Sequence, residues 1–322
     1  MSPKTIGIPR ALFYYYLFPL WNCFFTELGF KVKLSRKTDK TLVDLGVQKA
    51  VDELCYPVKI YYGHLASLVG EVDYIFLPRL ISIEKGNYIC PKFMGLPDMI
   101  KANFINLPEI IDEKFDFKST GRGLTDSLKS IGQKLGIEAA KTKRALKKAQ
   151  VIQNKYEEEL QKGFTPVELL EGYKKNIPAG KEIMTIGLVG HGYNIYDSYA
   201  SQNIIKKLED MYVRVVTPEM VDKKILEAVN KSQPKQMYWS LGKKSLGCSL
   251  YVKENKQITG LIYLSSFGCG PDSMLAELVE KRFRRNGQKP FLNIVIDEHT
   301  GEAGLQTRLE AFIDMIARRE VI

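Results

Sequence analysis

Thr5-Ile6-Gly7-Ile8-Pro9 is a short apolar run closed by proline; a helical pattern from about Leu12 to Leu28 follows, and then Lys31-Val32-Lys33-Leu34 alternates like a strand. This strand, helix, strand order decides the fold class. Downstream, the pattern predicts a helix from Leu42 to Glu53 and another from Pro57 to Leu68, with proline at its first position. It also predicts a buried strand at Tyr74-Ile75-Phe76-Leu77 and a further strand at Phe104-Ile105-Asn106-Leu107. Short apolar strands alternating with helices argue for a parallel sheet covered on both faces.

From Leu124 to Tyr173 the sequence is long, charged and strand-free, and reads as helix. Its run of Lys141, Lys143, Arg144, Lys147 and Lys148 could bind an anion, but a solvated helix face is the better fit. After Pro178-Ala179-Gly180 the alternation restarts with a strand at Thr185 to Val189, a helix from Asp197 to Leu208 and a strand at Val213 to Val216. Further strand candidates are Gln236 to Ser240, Gly260 to Leu264 and Phe291 to Ile296, with helices at Ser273 to Arg284 and Leu305 to Arg318. The expected class is therefore α/β: two flavodoxin- or Rossmann-like parallel-sheet domains, at 1–120 and 181–322, joined by a helical insert at 121–180.

A length of 322 residues, about twice a typical domain, agrees with two cores. With 45% hydrophobic and 26% charged residues, a disordered, collagen-like or disulfide-stapled chain is excluded. The net charge of +10 suits nucleic acid, an anionic ligand or an acidic partner, and selects none of them. MSPKTIGIPRALFYYY lacks the pattern of a secretory signal, and Ala11 to Phe25 is broken by Pro19 and Asn22, so it reads as a buried helix and not a membrane span. The five cysteines are too few and too odd in number for a disulfide framework, which points to the cytoplasm and to metal or redox use.

Three of those cysteines sit where ligands bind in open parallel sheets, on loops beside strand ends or helix starts. Cys55 lies in Glu53-Leu54-Cys55-Tyr56-Pro57, Cys90 in Asn87-Tyr88-Ile89-Cys90-Pro91 and Cys269 in Phe267-Gly268-Cys269-Gly270-Pro271. A neighbouring proline or glycine opens the backbone, and a helix N-terminus stabilises a thiolate. Three thiolates could hold a 4Fe-4S cluster at the domain interface with one iron left open; the bland alternative is three small buried hydrophobes. Cys23 sits mid-helix among aromatics and reads as core, whereas Cys248 is either core, a fourth ligand or a redox partner.

Glu53 to Lys59 with Tyr62-Gly63-His64, Ile89-Cys90-Pro91, Phe267 to Asp272 and the long stretch from Asp297 to Phe312 resemble the 2-hydroxyacyl-CoA dehydratase and benzoyl-CoA reductase superfamily. Within it, they look most like the DUF2229 branch, labelled acyl-CoA dehydratase activase-related. The resemblance implies cysteine-ligated iron–sulfur clusters in α/β domains, with Cys55, Cys90 and Cys269 as cofactor and metal ligands. It also implies a separate ATP-hydrolysing iron–sulfur activator as electron donor and a small-molecule substrate such as an acyl-CoA; a second copy of the chain is a further candidate partner. Double-cubane relatives need more cysteines, so a single cubane is expected unless Cys23 or Cys248 joins. The chain has no Gly-x-x-x-x-Gly-Lys-Ser/Thr loop and no actin-like phosphate motifs, so ATP chemistry is expected to belong to the partner.

Two further loops follow strands. Gly190-His191-Gly192-Tyr193-Asn194 could hold a phosphate or carboxylate through its N–H groups, or be a plain turn. In Asp297-Glu298-His299, Glu298 and His299 are the candidate catalytic residues for proton relay, with a structural hydrogen-bond role as the alternative; His64 reads as supporting or packing. The function expected is a cytoplasmic iron–sulfur protein reducing a small substrate at its cluster. The alternatives are a non-catalytic electron carrier, cluster carrier or redox sensor, and a metal-free binding module. Nucleic acid is a poor fit, because the basic residues are scattered and not interleaved with aromatics, and no membrane partner is expected.

Overall fold

The computed structural model describes residues 3–117, 123–175, 177, 180, 182–286 and 289–320. Pro178 and Ala179 of the expected break, and the expected boundary at 120 and 121, lie outside that set. The chain divides into two units: Met1–Leu54 with Val58–Glu158 and Tyr238–Ser240, and Cys55–Pro57 with Glu159–Met237 and Leu241–Ile322.

The first unit contains β1 (Thr5–Ile8), β2 (Lys31–Leu34), β3 (Tyr74–Phe76), β4 (Arg79–Leu80), β5 (Glu109–Ile111) and β6 (Lys114–Phe115). Its main sheet runs β2-β1-β3-β5 with every pair parallel, and β4 and β6 form a small parallel pair beyond it. Ile6, Ile75 and Phe76 are buried on this sheet, and the helix Tyr14–Glu27 lays Trp21 and Phe25 against Phe76 with ring centroids 5.1 Å apart in each case. The stretch that could have suggested a membrane span is thus a core helix. No helix among the described residues is long and apolar enough to cross a membrane.

The second unit repeats the scheme with β7 (Met184–Gly190), β8 (Val213–Val216), β9 (Gly260–Ser266) and β10 (Phe291–Ile296), in the order β8-β7-β9-β10 and again all parallel. Both sheets therefore show the first four strands of the flavodoxin-like order, in which the chain leaves the first strand toward one edge and later returns to the other side. The central strand β9 is buried at all seven positions. Cys248, fully buried among Val189, Val252, Leu261 and Val279, is part of this core.

The alternation misplaces three elements. Phe104–Leu107 is not a strand: Ile105 is 87% exposed and Asn106 adopts a left-handed φ of 60°, so the chain turns there and β5 pairs with β3 two residues later. Gln236 to Ser240 contributes one isolated bridge, Tyr88 to Trp239, before the helix Ser240–Glu254 begins. Of the helix expected from Asp197 to Leu208 only the last part is helical, in Ile204–Asp210, because Gln202 and Asn203 take left-handed φ of 52° and 56° just before it; a separate short helix, Gly192–Tyr196, precedes the expected start. The charged segment is helical as expected, in Gly123–Lys134, Ala139–Gln161 and Pro166–Glu171. On it, Lys143, Arg144 and Lys147 are exposed, while Lys141 donates to the Leu28 carbonyl at 2.9 Å and Lys148 pairs with Glu27 at 2.9 Å.

Candidate metal centre

In a sheet of this order, the ligand crevice opens at the carboxyl ends of the two strands between which the chain reverses. In the second unit those strands are β7 and β9, paired with Gly190 opposite Leu264. A Cβ on Gly190 would meet the Leu264 carbonyl oxygen at 2.1 Å, so only glycine lets the two strand ends close up. His191 follows β7 directly, and the Phe267-Gly268-Cys269 loop follows β9.

The loop after β9 is held by a second glycine. Gly268 has φ of 77°, and a Cβ there would lie 3.1 Å from the Cys55 Cα. The Tyr56 amide donates to the Phe267 carbonyl at 3.3 Å, which draws the Cys55 segment alongside the Cys269 loop. Cys55 and Cys269 are both buried, and each directly precedes a helix, Tyr56–Ala66 and Gly270–Asn286 respectively. Cys90 belongs to the first unit, half-buried, at the N-cap of the helix Pro91–Asn103, where its side chain makes no capping bond. All three therefore stand at the N-terminal, positive end of a helix dipole.

His191, Cys269 and Asp272 bring one donor atom each to within 4.8 Å of one another, and all three are buried. Asp272 is fully buried and accepts the Tyr263 O–H at 2.7 Å through Oδ1. His191 Nε2 is 3.9 Å from the same oxygen. Burial, reinforced by the Asp272 charge, pushes the Tyr263 hydroxyl well above its usual range, so it stays protonated as a donor. Ser245 donates to the Gly190 carbonyl at 3.3 Å and ties this end of β7 to the helix Ser240–Glu254. His191 Nδ1, Asn194 Nδ2, Ser266 Oγ and Asp272 Oδ2 are buried with no hydrogen-bond partner among the described residues. Such atoms are rare in folded proteins, and these four lie in the segments that end or follow β7 and β9.

The backbone cradle expected at Gly190 to Asn194 is the start of the short helix Gly192–Tyr196, whose Asn194 and Ile195 N–H groups donate to the His191 carbonyl. The chemical feature of that loop is the imidazole. Glu298 and His299 lie beyond β10, in a turn closed by Asp297, which accepts from the His299 amide at 2.9 Å and the Thr300 hydroxyl at 2.8 Å. His299 is exposed; Glu298 is half-buried and is one of the charges, after burial and Asp197, that raise the Tyr56 hydroxyl. His64 is fully buried with both ring nitrogens bonded, to Ser35 at 2.8 Å and Thr38 at 3.0 Å. The first unit's crevice, between β1 and β3, is apolar, lined by residues such as Ile8, Trp21, Tyr61, Phe76 and Phe93.

Sequence patterns flagged the cysteines and the His191 loop; Asp272 entered only as the end of the Phe267 to Asp272 stretch, with no role, and Tyr263 and Ser245 were given none. The available signal was an acid in the first turn of the helix behind Cys269.

A parallel α/β unit whose reversal point gathers thiol, imidazole and carboxylate has the donor set of a metal-binding protein. Residues 5–221 match the family model of the CoA enzyme activase uncharacterised domain (DUF2229), more than half of the chain, and the protein belongs to that family. Residues 168–316 match the model of the 2-hydroxyglutaryl-CoA dehydratase D-component, so the C-terminal part is dehydratase-component-like. A comparison with curated proteins finds no match.

Proposed function

We propose that the protein is an iron–sulfur redox component of the 2-hydroxyacyl-CoA dehydratase type. In this reading it takes low-potential electrons from a separate ATP-hydrolysing activator and reduces a small substrate, an acyl-CoA being the first candidate. The observation that carries the reading is the placement of Cys55, Cys90 and Cys269 at three helix starts, with Cys269 beside the buried His191 and Asp272. The match of the C-terminal part to a dehydratase component supports it.

Cys55, Cys90 and Cys269 are the proposed ligands of a 4Fe-4S cluster, which when bound supplies one-electron reduction at low potential. The chain's own residues set the surroundings. A helix N-terminus faces each of the three cysteines, Tyr263 keeps Asp272 in place, and the buried strands β7 and β9 back the site. Glu298 and His299 are the proposed proton relay, on a turn that Asp297 and Thr300 keep rigid. The basic balance suits a phosphorylated ligand or an acidic donor, and a reducing cytoplasm is the compartment such chemistry needs.

Anaerobic purification with iron and sulfide analysis tests this directly. About four irons per chain are expected, lost on replacing Cys55, Cys90 or Cys269 by serine. A colourless protein without iron after reconstitution would sink the proposal. Electron paramagnetic resonance with and without acyl-CoA then separates an enzyme, whose spectrum shifts, from an electron carrier, whose spectrum does not.

A further inference from the structure

The chain has three histidines, and their surroundings differ sharply. His64 has both nitrogens engaged by Ser35 and Thr38, and His299 is exposed. Only His191 is buried with a nitrogen left over: its Nδ1 has no hydrogen-bond partner among the described residues. Leaving such an atom dry costs about 1–3 kcal/mol, so its retention calls for a partner that the polypeptide does not provide.

We propose that His191 is the non-cysteine ligand of the metal group held at Cys269, with Asp272 setting the orientation of its ring. The inference rests on the iron–sulfur reading above. Three cysteines leave one iron of a cubane without a protein thiolate, and imidazole is a common ligand for iron. One ring nitrogen of His191, the Cys269 sulfur and one carboxylate oxygen of Asp272 lie within 4.8 Å of one another, so the imidazole stands at Cys269. Nδ1 is the free nitrogen, while Nε2 faces Asp272 Oδ1 at 3.9 Å. Metal-bound histidines habitually turn their second nitrogen toward a carboxylate, and Asp272 is anchored for that role by the Tyr263 hydroxyl at 2.7 Å. Gly190 makes the arrangement specific, because a side chain there would force β7 away from β9 and carry His191 with it.

The test uses the full chain, reconstituted anaerobically with iron and sulfide, labelled with 15N-histidine and reduced for pulsed electron paramagnetic resonance. A histidine nitrogen coupled to the cluster spin is expected in the wild type, lost in His191→Ala and kept in His299→Ala. In Asp272→Asn the coupling should persist with an altered magnitude, a change that a merely structural role for Asp272 would not produce. If His191→Ala fails to fold, His191→Gln replaces it, and the wild-type and His299→Ala spectra still decide. A wild-type cluster without histidine coupling, or coupling that survives the loss of His191, overturns the inference and leaves the cluster reading standing. A wild type without iron and sulfide overturns both.

Discussion

Gly190 and Leu264 are paired across β7 and β9 so closely that a single added carbon on Gly190 would overlap the Leu264 carbonyl at 2.1 Å. This contact fixes the separation of the two loops that carry His191 and Cys269. Gly190→Ala should therefore lower stability by about 2–4 kcal/mol, since a backbone atom cannot rotate out of the way. Urea denaturation followed by far-ultraviolet circular dichroism, which reports both units, reads it; an unchanged unfolding profile would mean that the strand ends are free to separate.

Tyr263 and Asp272 form a buried pair whose second carboxylate oxygen has no partner among the described residues. Removing the hydroxyl in Tyr263→Phe should cost the metal-free protein about 1–3 kcal/mol. Asp272→Asn should cost less in the Tyr263→Phe background than alone, because the interaction has already gone. Strictly additive effects in that cycle would show that the pair is not coupled.

His64 makes stability depend on pH. Burial, with the Arg10 and Arg36 guanidinium groups adding to it, holds its imidazole down at about 3 from the ordinary 6.5. The unfolded chain takes up this proton below about pH 6.5 while the folded chain stays neutral, so the contribution is complete above that pH and is lost as the pH falls toward 3. The loss is about 1.4 kcal/mol per pH unit from this group. Denaturation midpoints between pH 4 and 7 should slope less steeply in His64→Gln than in the wild type, and parallel slopes would remove His64 as the cause.

Thiol labelling should order the cysteines. Cys248 has no exposure, and burial, with the Glu219 charge, pushes its thiol up, so iodoacetamide should reach it only on unfolding. Cys90, half-buried at a helix start, should label earlier in the metal-free protein. Mass spectrometry over a time course would expose the opposite order at once.

Thr165 and Glu168 form a reciprocal capping box at the helix Pro166–Glu171. Thr165→Ala should cost about 1 kcal/mol, read as a lower thermal midpoint, with Thr165→Ser restoring most of it. Equal midpoints for alanine and serine would show that the hydroxyl is not the stabilising group.

Apolar runs at β1, β3, β7 and β9 were legible because a strand buried on both faces needs no partner to declare itself, and β10, though it exposes Val295 at the sheet edge, keeps the same apolar run. Phe104 to Leu107 looked the same and is not a strand, because a left-handed residue at Asn106 ended the run, and nothing local distinguishes it from Glu109–Ile111. The helix Ser240–Glu254 was missed for a related reason: it is buried at Leu241, Leu246, Cys248, Leu250 and Val252, so its apolar positions do not trace one clean stripe.

Cysteines beside glycine and proline, placed at the ends of short apolar strands, are local features, and the sequence alone determined them along with the α/β class and its repetition. That His191 meets Cys269 and Asp272 is not local. It depends on β7 and β9 pairing in parallel with Gly190 opposite Leu264, two strands separated in the chain by β8 and its helices. Only the tertiary structure decided that neighbourhood, because the pattern within a strand settles which face each side chain takes but not which distant strand lies beside it.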